Sequence, residues 1–140
     1  MNTALTFGAA ALLILSATAQ AADLELTVQN IASGQGSVMV AVFNDAGQWL
    51  KTPVALAQQA ASIQVGGKLT LVLKDLPDGE LAISVFHDLN GNGRLDSNGM
   101  GIPLEPFAFS NDAKAMFSAP KFEAARFTVP TVARMTISLN

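Results

Sequence analysis

Beyond residue 22 the chain is a succession of short apolar–polar alternations broken by turn residues. Leu24-Glu25-Leu26-Thr27-Val28-Gln29-Asn30-Ile31 places every second side chain on one apolar face, the period of a half-buried strand. Ser33-Gly34-Gln35-Gly36 is a turn signal. Ser37 to Phe43 is apolar on both faces, with Val38, Val40 and Val42 on one and Met39, Ala41 and Phe43 on the other. That pattern predicts a strand covered on both sides. Asn44-Asp45-Ala46-Gly47 turns the chain, and 48–53 is expected to be irregular. Val54 to Ala61 is alanine-rich and fits a short helical turn as well as an irregular strand.

Gly66-Gly67 is a further turn, followed by a strand at Leu69 to Leu73. Asp75-Leu76-Pro77-Asp78-Gly79 carries proline and glycine as a tight connection does. Glu80 to Phe86 is the next strand, with Leu81, Ile83 and Val85 on one face. Phe122 to Val129 and Val132 to Leu139 read as a final strand pair joined by Pro130-Thr131. Short strands, frequent turns and no sustained helical period predict an all-β fold: one antiparallel β-sandwich of about seven strands, prealbumin- or immunoglobulin-like. Trp49, the one tryptophan, is expected to plug an end of its core rather than serve as a ligand platform.

The stretch 88–120 breaks this rhythm. It shows no strand or helix pattern, yet it holds Ile102, Leu104, Phe107, Phe109, Met116 and Phe117, too apolar for a solvated tail. Ordered loops of this length are usually functional. It is therefore expected to be an ordered flap packed on one end of the sandwich.

The amino-terminal 22 residues carry no charged side chain. An apolar run from Ala9 to Ala17 ends in Ala19-Gln20-Ala21-Ala22, a small-residue site of the A-x-A kind. This is the pattern of a secretory signal peptide; the apolar run is short for a membrane span, and the alternative is an uncleaved amino-terminal anchor. The domain then runs from 23 to 140, with a loop at 88–96 and the flap at 97–120. The expected location is periplasmic or secreted, with no stable membrane insertion after cleavage. Without cysteine the domain has no disulfide and no lipid on a cysteine near the cleavage site, so its core must hold it together. The net charge is −3 and the basic residues are scattered, which speaks against nucleic acid. A monomer is expected.

Candidate chemistry concentrates in His87-Asp88-Leu89-Asn90-Gly91-Asn92-Gly93-Arg94-Leu95-Asp96. Against the EF-hand pattern, Asp88, Asn90 and Asn92 fill the first, third and fifth positions and Gly93 the sixth. Arg94 would offer a backbone carbonyl at the seventh, and Asp96 stands at the ninth. The twelfth position, normally a bidentate glutamate, is Gly99. A strand rather than a helix precedes the loop. Asp88, Asn90, Asn92, Arg94 and Asp96 thus form an EF-like set on a β scaffold, expected to hold calcium weakly. Glu105 is placed to complete the shell, and magnesium is disfavoured because it demands strict octahedral geometry. The alternative is a metal-free turn held by Asx hydrogen bonds.

No nucleophile motif accompanies His87, the single histidine, so no catalytic residue is assigned. The main reading is a non-enzymatic binding or structural domain. Phe107, Phe109 and Phe117 would form either a core cap or a recognition surface for an envelope protein, a peptide or a carbohydrate. The alternative is a small periplasmic hydrolase with His87 as base and Asp88 or Glu105 as partner. A pocket joining His87, Glu105 and Arg126 would favour it.

Three stretches carry a family resemblance: Val85 to Asp96, then Gly101-Ile102-Pro103-Leu104-Glu105-Pro106-Phe107-Ala108-Phe109-Ser110-Asn111, then Pro120 to Phe127. With Asp75 to Gly79 they resemble a family of bacterial secreted proteins, number 2141 among the domains of unknown function. Two details differ from the family's usual pattern. Asn98-Gly99-Met100 stands where Asn-Phe or Asn-Leu precedes Gly-Ile-Pro, and Phe107-Ala108 stands where Tyr-Gly is common. The resemblance implies export and a small β-sandwich, and it supplies no activity. Similar loops hold structural calcium in prealbumin-like sandwiches of bacterial surface proteins, an analogy of fold alone.

Overall fold

Leu24, Leu26 and Val28 point inward from β1 (Ala22–Gln29) and are fully buried, as the alternation requires. A computed structural model describes residues 21–63 and 66–140; the expected signal peptide, apart from its last two residues, lies outside them. After β1 come β2 (Ser37–Phe43), β3 (Ala55–Ala60), β4 (Leu69–Leu76) and β5 (Gly79–Asp88). They are followed by β6 (Phe107–Phe109), a helical turn α1 (Phe122–Ala125), β7 (Phe127–Val129) and β8 (Arg134–Ser138).

The strands form two sheets. One has the order β4-β1-β8, the other β3-β2-β5-β6, with β7 also on β5. Both β6 and β7 lie on the edge of β5 opposite β2: β7 on Gly79 to Leu81, β6 on Ser84 to Phe86. Val38, Val40, Val42, Leu81, Ile83 and Val85 face the first sheet and close the main core with Leu24, Leu26, Val28 and Ile137. An all-β sandwich is what the alternation predicts.

The other face of the larger sheet is covered by the flap. Phe43 and Ala82 pair across β2 and β5 on that face and pack with Phe109, Phe122 and Ala125 in a second core. Trp49 caps this cluster, its ring 5.0 Å from Phe43 and its indole N–H donating to Pro120 O at 2.8 Å. The sheet is thus buried on both faces at this end, and Phe43 is indeed covered.

Four expectations are corrected. Ala55–Ala60 is a regular strand, held in register by the whole length of β2. The flap contains the strand β6 and a 3-10 turn at Ser110–Asp112, because Ala108 faces the core between two aromatics that face outward. Phe122–Ala125 is helical; Phe122 and Ala125, one turn apart, both enter the second core. The last two strands are not a pair. The chain crosses sheets between them, and β8 runs parallel to β1 while β7 stays on β5. Among the described residues the strands number eight, with one parallel pairing.

Candidate functional site

Asp88 ends β5 and is almost fully buried on the outer face of the larger sheet. Its Oδ1 accepts the Gly91 N–H at 3.0 Å and its Oδ2 the Gly93 N–H at 2.7 Å. Both glycines have positive φ, +73° and +76°, which an L side chain rarely adopts. Asn90 Oδ1 accepts the Asn92 N–H at 3.1 Å, and Asn92 Oδ1 accepts the Arg94 N–H at 2.9 Å. The spacing recognised in the sequence is therefore a ladder of Asx turns. The Arg94 contribution to it is its N–H.

Asp96 closes the ring. Its carboxylate accepts Asn90 Nδ2–H at 2.6 Å and Asn92 Nδ2–H at 2.8 and 3.0 Å. The amide nitrogens, not the oxygens, face the carboxylate. A cation at this point would replace those donors as the partner of Asp96. Among the described residues no three histidine, cysteine, aspartate or glutamate side chains form a metal-holding group. What fits here is at most a hard cation held by few charges.

Glu105 folds back onto the loop, but to the backbone. It is 7 % exposed; Oε1 accepts the Leu89 N–H at 2.9 Å and Oε2 the Asp96 N–H at 3.0 Å. One carboxylate thus spans the beginning and the end of the loop. Leu104 N–H to Asp96 O, at 2.8 Å, extends the clasp into the flap. Asn98 then turns the chain, its Oδ1 accepting the Met100 and Ile102 N–H groups.

His87 faces the opposite way from Asp88, into the sandwich, and is completely enclosed. Its Nε2–H donates to Gln35 O at 2.6 Å, since a carbonyl can only accept; Nδ1 has no partner among the described residues. Arg126 pairs with Glu80 at 3.2 Å, at the other end of β5, roughly 23 Å along the strand from His87. His87, Glu105 and Arg126 do not share a pocket.

The three flap aromatics divide. Phe109 is buried beside Trp49, with ring centroids 5.8 Å apart. Phe107 is half-buried, 5.8 Å from Phe109. Phe117 is fully exposed, at φ +64°. Between them lies an open cleft of about 600 Å³. Its floor is Ser84 and Phe86 of β5 with Phe107 and Phe109 of β6; Ile102 and Phe117 stand on its walls. Met100, Ile102, Leu104, Met116 and Phe117 make the flap unusually apolar toward solvent.

A polar clasp was not foreseen from the sequence. Ser110 is fully buried; its Oγ accepts the Ile83 N–H at 2.9 Å and donates to Ala125 O. Asn111 Nδ2–H donates to Arg126 O at 2.8 Å, and Asp112 Oδ1 accepts the Ser138 N–H at 2.8 Å. The signal was Ser110-Asn111-Asp112 directly after Phe-Ala-Phe. Its targets, 15 to 27 residues away in the chain, are set by the fold.

No curated protein and no solved structure matches the chain. A family model, described as an uncharacterized protein conserved in bacteria, matches residues 26–138. That match runs from β1 to the end of β8 and takes in the loop, the clasp and the flap, so the chain belongs to the bacterial family DUF2141.

Proposed function

We propose that this is an exported, non-enzymatic binding domain of the bacterial envelope, in which the 88–105 loop fastens a flap that carries the binding surface. The observation that supports it best is the crowding of exposed apolar side chains, Met100, Ile102 and Phe117, around one cleft on that flap. Glu105 and the Asx ladder supply the rigidity that a binding surface needs beneath it. Native mass spectrometry of the protein isolated gently from its own envelope tests this. A bound mass that Ile102→Asp removes supports the reading; a bare polypeptide in both cases refutes it.

The same loop is proposed to take calcium with low affinity. The D-x-N-x-N-G spacing and the Asp96 carboxylate support this, and so few charges set the dissociation constant near 10⁻⁴–10⁻³ M by order of magnitude. Thermal unfolding in chelator, in calcium and in magnesium is the test. At about a hundredfold excess over the dissociation constant, calcium adds about 2.7 kcal/mol. A shift of that size in calcium alone supports the site, and identical curves leave the Asx ladder self-sufficient.

A further inference from the structure

We infer that the cleft under the flap is a binding site for an uncharged, largely hydrocarbon small molecule. This rests on the binding-domain reading above and gives it a ligand class. The cleft, about 600 Å³, falls within the range of small-molecule sites. Among the described residues its lining contains no aspartate, glutamate, lysine, arginine or histidine; the polar side chains are Ser84, Ser97 and Ser118. A charged group entering it would lose water and meet no counter-charge. The protein's net charge of −3 disfavours anions further. Three hydroxyls suffice to orient a hydroxyl, ether or carbonyl on an otherwise apolar ligand.

A peptide is a poorer occupant. Adding a strand requires a free sheet edge, and the edge here is β6, three residues long, whose Phe107 O already accepts the Asn140 N–H at 3.3 Å. The outer wall also suits a small ligand. Among the described residues no backbone–backbone hydrogen bond reaches residues 114–119, whereas the floor is sheet on both strands. Phe117 sits on that wall with its whole ring in solvent and its backbone in the left-handed region. Turning the ring inward over a hydrocarbon removes apolar surface from water on both partners.

The test is a fluorescence titration of the purified full chain with two dyes of one skeleton: N-phenyl-1-naphthylamine, which is uncharged, and its sulfonate, 1-anilinonaphthalene-8-sulfonate. Saturable one-to-one binding of the neutral dye is expected, with the sulfonate about tenfold weaker for want of a cation in the lining. Ile102→Asp should weaken the neutral dye about tenfold by placing a charge on the wall. Phe117→Ala should weaken it several-fold, and Val72→Asp on the other sheet should leave it unchanged. Thermal unfolding verifies that each variant is folded. Equal affinity for both dyes, no saturable binding, or indifference to Ile102→Asp overturns the inference. So does a dimer that Ile102→Asp dissociates, which would make the cleft a self-association face. A peptide or protein found bound in the mass spectrum, with no dye binding, overturns the ligand class while the binding-domain reading stands.

Discussion

Replacing Glu105 by Gln alters one atom and tests the whole account of the loop. In the native side chain both oxygens accept backbone N–H groups, from Leu89 at 2.9 Å and from Asp96 at 3.0 Å. Glutamine keeps one oxygen and turns an NH₂ toward the second N–H, donor against donor. Hydrogen bonds to a charged group contribute about 1.5–3 kcal/mol each, roughly twice the neutral value. One bond is therefore lost and the other is weakened, for about 3 kcal/mol. Removing a charge that is 93 % buried beside Asp88 and Asp96 returns part of this. The expected net loss is about 2 kcal/mol, or a fall in Tm of very roughly 10 °C for a domain of this size. Urea unfolding measures the first quantity, with an unchanged m value. Amide exchange should show faster opening at Leu89, Gly91, Gly93 and Asp96 than the global loss alone explains. Glu123→Gln, on an exposed glutamate, is the control and should move stability by less than about 0.5 kcal/mol. If the two variants are equally mild, Glu105 is not the clasp of the loop and the reasoning is wrong.

Three further predictions follow from single contacts. Ser110→Ala leaves the Ile83 N–H and Ala125 O buried without their partner, and urea unfolding should register a loss of about 2–3 kcal/mol; a loss under 1 kcal/mol would deny Ser110 its role. Gly36 has φ +66°, and a Cβ there would strike the backbone carbonyl of Asp88, so Gly36→Ala should cost roughly 2–4 kcal/mol in the same assay. By contrast, an alanine at Gly66, which has positive φ but open space, should cost only the smaller strain term of about 1 kcal/mol. The exposed Asp23–Lys74 pair gives a pH signature. The Lys74 ammonium, donating to Asp23 Oδ2 at 2.7 Å, and then the Asp75 N–H hold the Asp23 carboxyl below its ordinary range. A lowered folded value means that its contribution is present above the ordinary aspartate range and is lost as pH falls through the folded value. The stability difference between the native chain and Asp23→Asn should accordingly be small, salt-sensitive at neutral pH and absent in strong acid; persistence in acid would assign it to another cause.

The alternation at Leu24, Leu26 and Val28 made β1 legible, because burying one face of a strand leaves a period of two in the sequence. Partners leave no such trace. Nothing in Arg134 to Ser138 tells that it lies parallel to Glu25 to Gln29 rather than folding back on β7. Phe122-Glu123-Ala124-Ala125 is ambiguous for a similar reason. Four residues are too few to separate a helical turn from a strand end, and the second core settles the matter by admitting Phe122 and Ala125 together. The loop was legible as a set of oxygens at fixed spacing. Which end of each Asn amide faces Asp96 is decided by competition between backbone N–H groups and the carboxylate, a contest that spacing alone does not resolve. Glu105 was expected to return to the loop, and it does, with both oxygens accepting backbone N–H groups. The clasp at Ser110 to Asp112 escaped notice since small polar residues after a strand usually signal only a turn.

The placement of β8 against β1 has a bearing on how the chain is made. Gln29 Nε2–H donates to Ser138 Oγ at 2.7 Å across 109 positions of sequence, and the three-stranded sheet has β1 at its centre. That centre strand stays bare along one side until the carboxyl-terminal residues exist and are free to reach it. Long-range pairings of this kind raise contact order and slow folding. Under the proposed export, a polypeptide threaded through a translocase from its amino end would carry its own delay: the sandwich would not lock before β8 had emerged on the far side.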